Sequence, residues 1–295
     1  MKNIAQKLGL ILLAGALVLS GCKSTQEYAS LAQAGTNYTT AMDNLLVATI
    51  DISIDVTSEQ LLQDDALVNR TVADYQKLSQ PNEELLQTIQ KLRDHTQLLA
   101  RYFNLLSQLA TTNAAGRIQT EIGSNTSGLL GSLNQVSTQL KGSKLFTESG
   151  AAVVAPLTQI VVGGIVRGAL KTELEQRKET IQQELVLQER LLKALAKKVG
   201  ADLRLIKEIR EQRLVIESLT ATAPIAGKDA WLSARRTVLK MPLTVEQLNT
   251  ASETVKKLRE AFEDLCNGKL TRDRLNALVG DFAMLLQLTE KLKAA

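Results

Sequence analysis

Apolar residues recur along this chain at spacings of three and four, with polar residues filling the intervals, which places them on one face of an α-helix. The strongest run is Leu85, Leu86, Ile89, Leu92, Leu98, Leu99, Phe103, Leu105, Leu106 and Leu109, and it predicts an amphipathic helix over 82–110 with Pro81 at the joint before it. An earlier helix is predicted through Tyr38, Met42, Leu45, Ile52 and Val56. Within it, Ile50, Ile52, Ile54 and Val56 alternate with Asp51, Ser53, Asp55 and Thr57, which is also the pattern of a half-buried strand. Helix is the expected form, because no partner strand is visible and a lone strand leaves its backbone polar groups unmatched. Thr57 and Gln60 make a candidate capping box at which a helix restarts.

Over 112–150 six glycines stand among Ser, Thr and Asn, while Ile118, Ile122, Leu129, Leu130, Leu133, Val136 and Leu140 keep the helical period, so a looser helix is expected. Residues 151–170 are apolar or small apart from a few polar positions, and Arg167 is their only charge. Arg167, Pro156 and Gln159 all weigh against a bilayer span, so a buried central helix of a bundle is expected there. From Lys171 to Leu219 charges of both signs intersperse with Ile181, Leu185, Leu192, Leu195, Val199, Ile206, Ile209 and Ile216, a heptad-like seam interrupted by Gln188, Asp202 and Arg213. Unbroken, this stretch is a rod of roughly 74 Å; alternatively Gly200 ends one helix and opens another.

Pro224, Gly227 and Pro242 mark 220–243 as a joint, with Trp231 packed under a loop or, with Arg235 and Arg236, forming an exposed partner site. Thr244 and Gln247 then open a helix through Leu248, Val255, Leu258, Phe262 and Leu265, which Asn267 and Gly268 stop. Thr271 or Asp273 starts the last helix, through Leu275, Leu278, Phe282, Leu285, Leu286 and Leu288, antiparallel to the one before. The expected fold is all-α, an elongated bundle with long antiparallel helices.

Composition reinforces this picture. Aromatics are 3% and there are four prolines, which favours helix over sheet. A balance of 35 basic to 31 acidic residues, with no basic stripe interleaved with aromatics, excludes a nucleic-acid-binding surface. The chemistry on offer is sparse. There is no Walker loop, dinucleotide fingerprint, nucleophile elbow or histidine-based metal motif. His95 is the single histidine, expected to be surface-exposed or partly satisfied on its helix. Catalytic residues, cofactors and metal ligands are therefore expected to be none, and the protein is read as a non-enzyme.

The N-terminus is the most specific signal. Lys2 and Lys7 precede an apolar run from Leu8 to Leu19, followed by small residues, the order of an export signal. The tetrapeptide Leu19, Ser20, Gly21, Cys22 resembles the lipobox of bacterial lipoproteins. That resemblance covers residues 1–22 alone and implies cleavage before Cys22, diacylation of its thiol and acylation of the new amino group. It divides the chain into a signal peptide over 1–21, a lipidated N-terminus and polar tether over 22–36, and a bundle over 37–295. Lys23 in second place implies, by likeness to enteric lipoproteins, sorting to the outer membrane. With Cys22 acylated, Cys266 has no disulfide partner and is expected as a small core residue.

The function these features predict is that of a periplasmic lipoprotein, anchored to the bilayer through Cys22 and serving as a scaffold or accessory subunit for an envelope protein partner, with a homo-oligomer also open. A different reading has 151–170 entering a membrane, since a long bundle with one glycine-rich apolar segment resembles the layout of α-helical pore-forming toxins.

Overall fold

In a computed structural model the backbone is described for residues 2–63, 71–111, 115–142, 169–221, 224–225 and 227–293, and side chains of the first helix from Gln26 onward. The helices are α1 (Lys2–Gln63), α2 (Val72–Thr111), α3 (Ala115–Gly142), α4 (Ala169–Arg210), a π-helical turn over Glu211–Ile216, α5 (Glu217–Thr220), α6 (Lys228–Ala251), α7 (Thr254–Cys266) and α8 (Arg272–Lys293). No strand occurs among the described residues, and the fold is an all-α bundle of long helices. Of the expected segment 151–170, residues 151–168 lie outside the described residues, and Ala169 and Leu170 open α4.

α1 is the axis of the bundle. It packs against α2, α4, α7 and α8, and between Leu31 and Thr49 only Gln33 and Thr40 are fully exposed. Two expectations are corrected here. The first helix has no single apolar face, because Ala32, Ala34, Ala41 and Ala48 let neighbours approach on its other sides. The tether expected over 22–36 is helical at the backbone, and Leu31, Ala32 and Ala34 within it are fully buried core residues. Gly35 marks the closest approach: the Phe103 ring of α2 lies where a Cβ would sit, 2.4 Å away.

Pairings across the bundle give its topology. Asp43 meets Arg93 and Ser53 meets Asn82, so α2 runs antiparallel to α1; His95 meets Ser132 and Leu98 meets Asn125, so α3 turns back again. Tyr38 meets Gln188 and Glu59 meets Arg210, which sets α4 parallel to α1. Arg259 returns to Glu189 and Trp231 to Val215, so α6 and α7 descend along α4. The Tyr38 and Phe282 rings pack at a tilt of 57° with centroids 5.4 Å apart, and α8 runs up beside α1.

Tertiary packing overrides several local punctuation signals. Residues 50–56 are helical: the four-residue repeat brings Ser53 and Thr57 together on Asn82, while Ile52 and Val56 enter the core. Thr57 is not a cap; its hydroxyl bonds back to the Ile54 carbonyl inside α1. Pro81 sits within α2, whose true start is a capping box in which Thr71 and Asp74 bond each other's backbone amides. Gly200 does not break the rod, so the continuous alternative holds, and the Cβ it lacks leaves room for Val245 of α6. Pro242 and Thr244 lie inside α6, so the joint shortens to 221–227. α7 ends as expected, with Gly268 at φ 67° and the Lys269 amide bonding the Asp264 carbonyl in a Schellman turn.

Candidate functional site

At mid-height the core holds a chain of polar side chains. Tyr38 of α1 donates its hydroxyl proton to Gln188 Oε1 at 2.7 Å, and Gln188 Nε2 donates to Glu184 Oε1 at 2.8 Å. Glu184 in turn lies 2.9 Å from His95 Nε2 through both carboxylate oxygens, and His95 Nδ1 is 3.0 Å from Ser132 Oγ. Four helices contribute to this network, α1, α2, α3 and α4, and Tyr38, His95, Glu184 and Gln188 have no exposed surface. His95 is thus a core residue, correcting the expectation of a surface or partly satisfied position. An ionised Glu184 only accepts hydrogen bonds, so Nε2 carries the proton toward it. Ser132 serves Nδ1 in either state of the ring, donating to it when neutral and accepting when charged.

Electrostatics follow from this placement. Burial disfavours a charged imidazole, but the Glu184 carboxylate and its hydrogen bonds outweigh that, and His95 titrates above the ordinary histidine range. The Tyr38 hydroxyl is pushed well up by burial and then by the Glu184 charge, so it stays a donor.

Ser132, His95 and Glu184 have the composition of a hydrolytic triad. Attack on a substrate needs the hydroxyl facing a cleft with donors for the developing oxyanion. The cavities between α4 and α6, between α2 and α3, between α6 and α8, and beside Cys266 are lined by none of the three. Each polar group is bonded across a helix boundary, so the network fixes the rotation and height of four helices against one another. The one sequence signal of it was Gln188, which interrupts the α4 seam. The other two interruptions are also partnered: Asp202 binds Lys198 and Arg213 binds Glu59.

A second cluster ties the far end of α1 to α4. Glu59 accepts from Arg210 Nε and Arg213 Nη2, both at 2.6 Å, and Asp55 accepts from Arg210 Nη2 at 3.1 Å. Burial opposes the Glu59 charge, yet the two guanidinium groups hold the carboxyl below its usual value. The π-helical turn follows Arg210 directly and contains Arg213. Its Val215 carbonyl accepts the Trp231 indole N–H at 3.1 Å, while Arg235 lies 6.0 Å from that ring's centroid. Trp231 is therefore half-buried against the turn, and Arg236 is exposed beside it.

Cys22 lies on the helical backbone of α1, with its side chain outside the described residues. Cys266 is half-buried against the core, on a cavity of about 340 Å³ shared with Tyr28, Leu174 and Glu175. Burial pushes its thiol up to about 11, which keeps it protonated and unreactive. Among the described residues no group of three or more His, Cys, Asp or Glu side chains converges as metal ligands, and no helix is long and apolar enough to cross a membrane.

Comparison with protein-family models, with curated proteins and with solved structures finds nothing that matches this chain.

Proposed function

We propose that the protein is a lipid-anchored scaffold or accessory subunit of a bacterial cell envelope, held to its membrane through acylated Cys22, facing the periplasm and binding another envelope protein. The observation that carries this reading is the lipobox-like run Leu19, Ser20, Gly21, Cys22, a short way along the chain before Leu31, the first fully buried residue among the described side chains. Eight helical residues lie between Cys22 and Leu31, nine steps or about 13 Å of rise. Several acyl chains, each methylene contributing about 0.8 kcal/mol, suffice for stable attachment. A bundle joined to lipid by so short a helical stem stands with its long axis set by α1, presenting its sides and far end to partners. The polar network supports the same role, because it stiffens the body from within, with Tyr38, His95, Glu184 and Gln188 fully buried.

The test is Cys22→Ser. The substituted protein is expected to accumulate as an uncleaved precursor that incorporates no labelled palmitate; normal processing and labelling of the variant would refute the anchor. Crosslinking in intact cells followed by capture of the wild-type protein is expected to recover a stoichiometric envelope protein, and recovery of lipid alone would refute the scaffold role.

A further inference from the structure

α6 has two apolar faces. Val238, Met241, Val245 and Leu248 are buried toward the bundle, whereas Leu232, Leu239 and Leu243 on the opposite side are 41%, 52% and 58% exposed. That outer stripe belongs to a continuous seam of alternating four- and three-residue steps: Leu232, Arg236, Leu239, Leu243, Glu246 and Thr250. Such spacing is the seam of a two-helix coiled coil. Its order is also symmetric about Met241. Leu239 and Leu243 stand two residues either side of it, Arg236 and Glu246 five, and Leu232 and Thr250 nine.

We infer that the outer face of α6 pairs with the same face of a second copy of this chain, the two helices running antiparallel about a two-fold axis level with Met241. The symmetry makes the surface self-complementary, as a two-fold contact requires. In that register Leu239 of each copy meets Leu243 of the other, and Arg236 of each meets Glu246 of the other. A parallel pairing would set Arg236 against Arg236 and Glu246 against Glu246, so the charges select the antiparallel arrangement. Neither side chain has an ion-pair partner within its own chain among the described residues. Met284 of α8, 64% exposed, stands with Leu243 on the lip of a groove of about 600 Å³ floored by Leu285 and Leu288, which widens the apolar patch beyond α6. The seam is about 27 Å long, so the dimer is one that dissociates on dilution. Antiparallel pairing directs the two α1 N-termini away from each other, so under the proposed anchoring it joins copies held in facing membranes and not neighbours on one.

The inference does not rest on lipidation, and its test keeps the two apart. Sedimentation of the full chain in detergent is expected to show a concentration-dependent dimer. Arg236→Glu and Glu246→Arg should each weaken it by at least about tenfold, since each places like charges together twice. An equimolar mixture of the two variants, and the doubly swapped protein, should recover wild-type affinity. Both positions are exposed, and unchanged circular dichroism would show that the fold is intact. Association through the apolar N-terminus is blind to these swaps, and the Cys22→Ser protein should dimerise like the wild type. A chain that stays monomeric at every concentration, or swaps that leave its association unchanged, would overturn the proposal.

Discussion

His95 shows how one side chain can govern several helices. Its ring is the only positive partner of Glu184 in the network, and both are without exposed surface. His95→Ala removes that partner and leaves a buried carboxylate held by Gln188 alone, a change of the kind that costs about 3–5 kcal/mol. Denaturant unfolding should show the loss as a lower midpoint. Replacing both members, His95→Leu with Glu184→Leu, should be less harmful than His95→Ala alone, because no uncompensated charge remains. Nothing local in the sequence announced this site. Ser132 and Glu184 lie 37 and 89 residues from His95, and only folding brings them within bonding distance. Gln188 was legible as an oddity in an apolar seam, and that oddity was the visible edge of the network.

Among the elements, the contact of α1 with α2 is set by the absence of a side chain at Gly35. In an open helix, glycine to alanine is favourable by up to about 1 kcal/mol. Here the added methyl would enter the Phe103 ring, so Gly35→Ala should destabilise the protein by about 1–3 kcal/mol in denaturant unfolding. Gly116 and Gly131 have nothing near the missing Cβ, and alanine at either should be neutral or stabilising in the same measurement. Where the apolar period was long and regular, as in α2 and α4, the elements were readable from the sequence, because the faces that period aligns are the ones buried. Punctuation was a mixed guide: Asn267 and Gly268 do end α7, but Pro81, Pro242, Thr57 and Thr244 all lie inside helices. A proline removes one amide and a threonine offers an alternative bond, but both are local effects of a few kcal/mol at most. Packing along forty-residue helices outweighs them. The π-helical turn at Glu211–Ile216 has no signature in the sequence; within it Arg213 pairs with the distant Glu59.

For the whole molecule, the buried charges define a pH window. His95 titrates higher folded than unfolded, so its stabilisation is complete below the ordinary histidine value and is lost as pH rises through the raised one. Glu59 titrates lower folded than unfolded, so its contribution is complete above the ordinary carboxylate range and is lost as pH falls through the depressed value. Glu173, raised by burial against the opposing charge of Arg177, costs stability as pH rises from the ordinary carboxylate value to its raised one, and nothing further above that. Thermal unfolding followed against pH should therefore peak in the mildly acidic region and fall on both sides. His95→Ala should flatten the neutral-to-alkaline limb, and Glu59→Gln the acid one.

The central position of α1 also governs the order in which the fold can be completed. Tyr38 waits for Phe282 across more than two hundred residues of chain, and Arg272 of α8 reaches Gln26 near the start of the described core. The first helix to be synthesised is thus the last to be fully enclosed, because its walls come from segments at both the middle and the end of the polypeptide. Contacts so distant in sequence slow collapse. The leading segment therefore cannot complete its burial until the trailing one has arrived, and α1 keeps apolar surface in water until α8 is made.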